Sequence, residues 1–173
     1  MTDAVASVKR VNHIELRPLD DDDLDAVFEM MRDREAIAMA AFTAEDPDDR
    51  AAFDEWIARQ RAAADVLSFV VTENSGFAGT AASFTIDGDR EVTYWIARHA
   101  WGRGVATQAL RLLISREPIR PLFARAAAHN AASIAVLTKA GFTEVSRNID
   151  FAPGLGREIE EIVFTLPPAL DGA

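Results

Sequence analysis

Gly102-Arg103-Gly104, followed by Val105, Ala106 and Thr107, has the residue types and order of an anion cradle. Glycines let the backbone curl around an anion with no Cβ in the way. The small residues after them can open a helix, whose first turn offers unpaired N–H groups and the positive end of the dipole. Arg103 is the one formal positive charge inside the loop, and Arg98 lies just ahead of it. The spacing sets this loop apart from two common phosphate binders. The third glycine of a dinucleotide fingerprint would fall at Thr107, and the Gly-Lys-Ser/Thr ending of a Walker loop is missing. On the loop alone, a helix entry in which the glycines only make the turn explains the residues equally well.

The elements that must position this loop follow from periodicity. Residues 13–17 alternate and stop at Pro18, which predicts a short first strand. Leu24, Val27, Phe28 and Met31 share one helical face, and the aspartates at 20–23 ahead of them read as caps, not as a calcium loop. A second helix is expected from Asp46-Pro47, with Asp as cap, Pro at the first position, and Phe53, Trp56, Ile57 and Gln60 on one face. Runs at 67–72, 79–86 and 90–97 read as strands joined by Asn74-Ser75-Gly76 and Asp87-Gly88-Asp89. Such an antiparallel meander is not the start of a dinucleotide fold. After the glycine loop come a helix with Ala106, Ala109, Leu110, Leu113 and Ile114 inward, a strand at 121–127, and a helix at 130–140 closed by Gly141. Strands at 142–149 and 158–166 flank Pro153-Gly154-Leu155-Gly156. The order predicts an α/β (α+β) fold with a mixed sheet and helices on its faces. Residues 1–12 and 167–173 read as loose ends of a single domain spanning 1–173, with its core at about 13–166.

Composition narrows the classes. The 173 residues are 49% apolar, enough for a core without staples. The absence of cysteine excludes disulfides, a thiolate metal site and a cysteine nucleophile. A net charge of −10 argues against nucleic acid and anionic membranes as partners. No apolar run is long enough for a membrane span, and the N-terminal residues lack the apolar segment of a signal peptide, so a cytoplasmic location is expected. His13, His99 and His129 are isolated, and no metal is expected. Trp56 and Trp95 read as packing residues.

Trp101-Gly102-Arg103-Gly104-Val105-Ala106 followed by Thr107-Gln108-Ala109-Leu110 resembles motif A of the GNAT N-acetyltransferases, with Trp in the place usually held by Gln or Arg. Residues 130–142, with Asn130, Ser133, Lys139, Gly141 and Phe142 at the pattern positions, are similar to motif B. The strand Glu91-Val92-Thr93-Tyr94-Trp95-Ile96 looks like the one that precedes motif A. All three resemble the ribosomal-protein (RimJ/RimL-like) branch; the likeness spans about residues 13–166 in element order and is specific from 90 to 142.

The resemblance implies a mostly antiparallel mixed sheet of about seven strands, splayed at its central strands and flanked by about four helices. It implies transfer of an acetyl group from acetyl-CoA to a primary amine by direct attack in a ternary complex. Trp95, Ile96 and Ala97 would line pantetheine through their backbones, and Trp101 to Ala106 would surround the diphosphate. Arg98, Thr107, Asn130 and Lys139 complete the implied cofactor contacts. The N–H near Ile96 would meet the developing oxyanion. Glu91 would be the base, directly or through water, with Glu160 and Glu161 as fallback acids. The position of the family's usual tyrosine acid is Leu137, so Ser133 would protonate the departing thiolate; hydrogen bonding to its own helix backbone is the plainer reading of that serine. Thr93 replaces a glycine often found in that strand.

A non-catalytic CoA-binding or sensor module is the alternative, and a nucleotide binder is disfavoured by the meander and by Thr107. Asp33, Glu35, Glu45, Asp46, Asp48, Asp49 and Asp150, in or beside the segments 33–50, 87–89 and 151–157, point to a cationic amine acceptor. It would be a protein N-terminus or a small-molecule amine, taken by a monomer or homodimer.

Overall fold

The chain forms seven strands: β1 (Ile14–Pro18), β2 (Leu67–Glu73), β3 (Gly76–Ile86), β4 (Asp89–Ile96), β5 (Leu122–Ala127), β6 (Thr143–Ala152) and β7 (Arg157–Leu166). They form one sheet in the order β1-β2-β3-β4-β5-β7-β6 in a computed structural model that describes residues 12–168. The two expected loose ends, apart from Asn12, Pro167 and Pro168, lie outside the described residues. All neighbours pair antiparallel except β4 and β5, which are parallel. Among the described residues the helices are α1 (Leu24–Met31), α2 (Arg34–Ala40), α3 (Arg50–Ala62), α4 (Val105–Arg116) and α5 (Ala131–Lys139).

The five helices exceed the expected four by α2. This is a short helix nucleated by its cap, the Asp33 carboxylate, which accepts from the N–H groups of Glu35 and Ala36. The start of α3 also needs correction. Asp49, not Asp46, caps it by accepting from Ala52 N at 2.9 Å. Asp46 is used one turn earlier, where its carboxylate accepts from Asp48 N at 3.0 Å, so Pro47 lies in a turn and not in the helix. On α3, Phe53 and Ile57 are buried while Trp56 turns to the flank and is 38% exposed. The aspartates at 20–23 do not cap α1 directly: Asp20 and Asp23 cap a 3-10 turn at 21–23 that leads into it, Asp20 accepting from Asp22 N and Asp23 from Asp20 N, and the buried Asp23 also pairs with Arg17 at 2.6 Å.

Strand alternation divides the core. Val92, Tyr94 and Ile96 point from β4 to the face covered by α4 and α5, where Val105, Ala109, Leu110, Leu113 and Leu137 pack. Trp95 and Ala97 point to the other face, against Val27, Phe28 and Met30 of α1 and Phe53 and Ile57 of α3. Gly79 pairs with Ile96, and a Cβ there would lie 2.1 Å from the Trp95 carbonyl oxygen. A side chain at 79 would push β3 off β4 at the point where β4 reaches the site.

The sheet splits at its centre. β4 and β5 pair only at Arg90↔Leu122 and Glu91↔Phe123, after which both strands run on without each other. A buried cluster clamps the closed end. Glu117, at the end of α4, accepts from Arg90 Nη2 at 2.6 Å, Arg90 Nε at 2.8 Å, Ser83 Oγ at 2.7 Å and Ile119 N at 3.1 Å. Burial alone would push the Glu117 carboxyl up, but Arg90, Ser83 and the Ile119 N–H outweigh it and hold it below the usual carboxylate range.

Candidate active site

Beyond the closed end, the second edge of β4 has no strand partner among the described residues. Ala97 N donates to the Ala78 carbonyl at 2.8 Å, so the polar groups of Ala97, Trp95 and Thr93 face β3. Those of Ile96 and Tyr94 face the split. The Ile96 carbonyl accepts from Trp101 Nε1 at 2.7 Å, which ties the tryptophan side chain to this edge. Of the three residues expected to offer backbone groups to a ligand, only Ile96 has them turned to the unpaired edge, as Tyr94 does. Trp95 and Ala97 have theirs turned to β3 and instead line the apolar face.

The glycine loop follows directly. Gly102 and Gly104 have φ of 73° and 78°, in the left-handed region that favours glycine. A Cβ at either would meet nothing within 4 Å, so the requirement is conformational and not spatial. Gly104 caps α4 with no side-chain hydrogen bond, and the first helical bond runs from Gln108 N to the Gly104 carbonyl at 3.1 Å. The N–H groups of Val105, Ala106 and Thr107 are thus without a helical partner. Neither arginine adds free charge: Arg103 is paired with Glu73, and Arg98 with Asp33 at 3.0 Å and Glu35 at 2.8 Å. The positive character left at the loop is that of the backbone N–H groups at the start of α4.

On the α1 and α3 side of the split lies a carboxylate–guanidinium–carboxylate cluster. Arg125 of β5 donates from Nε to Glu91 at 2.9 Å and from Nη1 to Glu161 at 3.2 Å. Both glutamates are buried, while Arg125 is half exposed. Burial pushes the Glu161 carboxyl up; Asp150 and Glu91 add to this and Arg125 opposes it. Glu160 alternates to the opposite face and pairs with Arg147 at 3.1 Å, so only Glu161 of the two fallback acids joins Glu91.

On the other face Asn130 caps α5, accepting from Ser133 N at 3.0 Å. The Ser133 hydroxyl is not spent on its own helix backbone: it lies 2.8 Å from the Tyr94 hydroxyl. Burial pushes the Tyr94 phenol up to about 12, against the lowering effect of Ser133. Leu137 is core, and the exposed Lys139 lies at the far end of α5, roughly 9 Å along the axis from Ser133. His99 and His129 each have Nε2 near a backbone carbonyl, of Phe77 at 3.1 Å and Ala38 at 2.7 Å.

Most of the acidic residues expected to greet a cation are engaged. Asp33 and Asp49 cap helices, and Asp48 pairs with Arg32 and Arg34. An apolar cavity of about 300 Å³ lies beside them, lined by Phe28, Met31, Phe42, Thr43, Phe53 and Trp56. Its Thr43 wall is braced by Gly154, where a Cβ would lie 2.1 Å from Thr43 Oγ1 and 2.9 Å from the Ala41 carbonyl. Gly154→Ala must displace this loop and leave the glycine loop untouched. We expect it to lower the melting temperature, as thermal denaturation would read, because Thr43 and the Ala41 carbonyl must give way.

The acetyltransferase (GNAT) domain family matches residues 13–143. The chain belongs to the GNAT acetyltransferase family. No curated protein matches it significantly. Among solved structures it is similar to the spermidine N-acetyltransferase of Vibrio cholerae in complex with CoA and spermine, with a TM-score of 0.78 and 16% identity over 89% of this chain and 95% of that one. RimJ of Mycobacterium smegmatis in complex with CoA-disulfide gives a TM-score of 0.75 at 22% identity, covering 90% of this chain and 82% of that one. The ribosomal-protein-alanine N-acetyltransferase of Brucella melitensis gives 0.75 at 22% identity over 88% and 99%. These likenesses establish the GNAT fold.

Two residues beside the split escaped the sequence. Arg125 sits in the strand expected at 121–127, and nothing local announces that β5 brings it between Glu91 and Glu161. Tyr94 is the chain's single tyrosine, and strand alternation from Trp95 could have placed it on the α5 face.

Proposed function

We propose that this protein is an acetyl-CoA-dependent N-acetyltransferase that acetylates a primary amine by direct attack in a ternary complex. The observation that carries the reading is the unpaired edge of β4 running straight into the uncapped start of α4. An extended amide-bearing arm fits the first, and a diphosphate fits the second. Tyr94 and Ile96 would hold the arm. Trp101 to Thr107 would hold the diphosphate, Arg103 by exchanging Glu73 for phosphate. Asn130 would stand at the open end of α5, whereas Arg98 and Lys139 point to other parts of the surface and fit the cofactor less well.

Acetyl-CoA supplies an activated thioester, and the residues of the chain do the rest. The amine must be neutral to attack, which calls for a base on the α1 and α3 side. Glu91, directly or through water, is that base, and Arg125 fixes its position beside Glu161. Tyr94 N–H suits the oxyanion better than Ile96 N–H. It is three residues from Glu91, about 10 Å along the strand, whereas Ile96 is five residues and about 17 Å away. Ser133 serves the departing thiolate.

The cluster of Glu91, Arg125 and Glu161 leaves an excess of negative charge that favours a cationic acceptor. The relative crystallised with spermine and the ribosomal-protein relatives give the two classes to test: a polyamine-like small molecule and a protein N-terminus, the latter matching the RimJ/RimL-like branch. The protein would work as a single domain in the cytoplasm, as monomer or homodimer.

The test is thiol release from acetyl-CoA with a panel of polyamines, aminoglycosides and N-terminal peptides. We expect acetyl-CoA-dependent release with at least one acceptor. One observation favours a second reading, a CoA-binding module without turnover: the Glu91 carboxylate is already held by Arg125. Binding without release against every acceptor would establish that reading. Failure to bind millimolar acetyl-CoA would overturn both.

A further inference from the structure

The Tyr94 and Ser133 hydroxyls meet on the α5 face of the split, and the acetyl-transfer reading gives that meeting a use. We propose that Tyr94 is a positioning residue for proton delivery to the departing thiolate: its phenol donates to Ser133 Oγ and turns the serine proton toward the split.

Three contacts carry this. Tyr94 Oη is 2.8 Å from Ser133 Oγ and 3.3 Å from the Ser133 carbonyl, so the phenol proton has its acceptors on one residue. The Ser133 N–H is already taken by the Asn130 cap, which fixes the first turn of α5 and the serine with it. The polar backbone groups of Tyr94 face the unpaired edge of β4, so one residue borders the ligand's path with its backbone and orients a hydroxyl beside that path with its side chain.

A hydroxyl can donate one proton and accept others. With Tyr94 donating to it, Ser133 Oγ keeps its own proton for a third partner. In the transfer, a carbon–nitrogen bond forms, the carbon–sulfur bond breaks, and its electron pair stays on sulfur. Nitrogen loses one proton to the base side and sulfur gains one from Ser133, which recovers a proton from solvent. Amine and acetyl thioester thus become amide and thiol. Tyr94 changes no protonation state, in keeping with a buried phenol pushed up to about 12.

The proposal rests on the acetyltransferase reading, and its test separates the two. Tyr94→Phe, Ser133→Ala and the double variant are compared with the wild type for melting temperature, acetyl-CoA dissociation constant and kcat. Tyr94→Phe should lower kcat by about 3- to 10-fold, the worth of one oriented hydrogen bond, with affinity and melting temperature close to wild type. Ser133→Ala should lower kcat further. Adding Tyr94→Phe to Ser133→Ala should then cost nothing more, because nothing is left to orient. Equal losses of kcat for Tyr94→Phe in both backgrounds, or a fall in affinity that accounts for the loss, would overturn the role. A Tyr94→Phe enzyme with unchanged kcat would do the same. Absence of turnover in the wild type would overturn the acetyltransferase reading itself.

Discussion

Glu117→Ala should remove about 3–5 kcal/mol of folding stability, the cost of leaving a buried charge without its partner. Arg90 and Glu117 are 6% and 1% exposed at their side chains, and each has hydrogen bonds beyond the pair. The alanine variant would strand the Arg90 guanidinium, together with Ser83, inside the closed end of the split. Urea denaturation checks the magnitude. A double replacement by apolar residues should cost much less than the single one, because neither charge is then stranded. The pH dependence has a definite sign. The folded Glu117 carboxyl lies below its unfolded value, so its contribution is fully present above the unfolded pKa. It is lost as the pH falls through the folded value. The wild type should therefore lose stability in that acid window by an amount the Glu117→Ala protein does not.

Gly104→Val should weaken acetyl-CoA binding by about 10- to 100-fold. A β-branched residue at a φ of 78° carries strain of about 1–3 kcal/mol, and relief of that strain turns the first N–H groups of α4 away from the anion. The space around Gly104 is open, so no collision in the core accompanies the change. Gly88→Val is the matched comparison. Gly88 has a φ of 90°, also with nothing near a Cβ, but it lies in the turn between β3 and β4 at the closed end of the sheet. It should cost stability and leave acetyl-CoA affinity alone. Calorimetric titration of both variants separates the two effects, and equal affinity losses would remove the glycine loop from the binding site.

What could be read from sequence was what short-range chemistry decides. Left-handed glycines ahead of small residues and the turns of the meander are settled by near neighbours, and the structure has them where expected. The order β5-β7-β6 and the single parallel pairing at Arg90 and Glu91 depend on contacts between residues far apart in sequence, which periodicity does not encode. Side-chain partners fail for the same reason. Arg98 and Arg103 look like phosphate ligands beside their glycines, yet carboxylates from α2 and β2 reach them first. The shift of a helix start from Asp46 to Asp49 is a local error of another kind: four acidic residues compete for one cap, and composition cannot rank them. The Tyr94–Ser133 contact lay between these cases, since alternation gives the face of Tyr94 but not its distance from α5.

The unpaired edge of β4 also bears on how firmly the protein holds together. Strand edges in soluble proteins are generally shielded, because a free row of N–H and C=O groups invites pairing. Here the row lies inside the strand order, facing β5 across the split, and is not an outer edge of the sheet. On the proposed reading the cosubstrate would bridge two half-sheets whose strands pair with each other only at the closed end. Stability then becomes a matter of mass action: a ligand at 100 times its dissociation constant adds about 2.7 kcal/mol to the folded state. The fold's resistance to unfolding would rise and fall with the cell's pool of coenzyme A, acetylated or free.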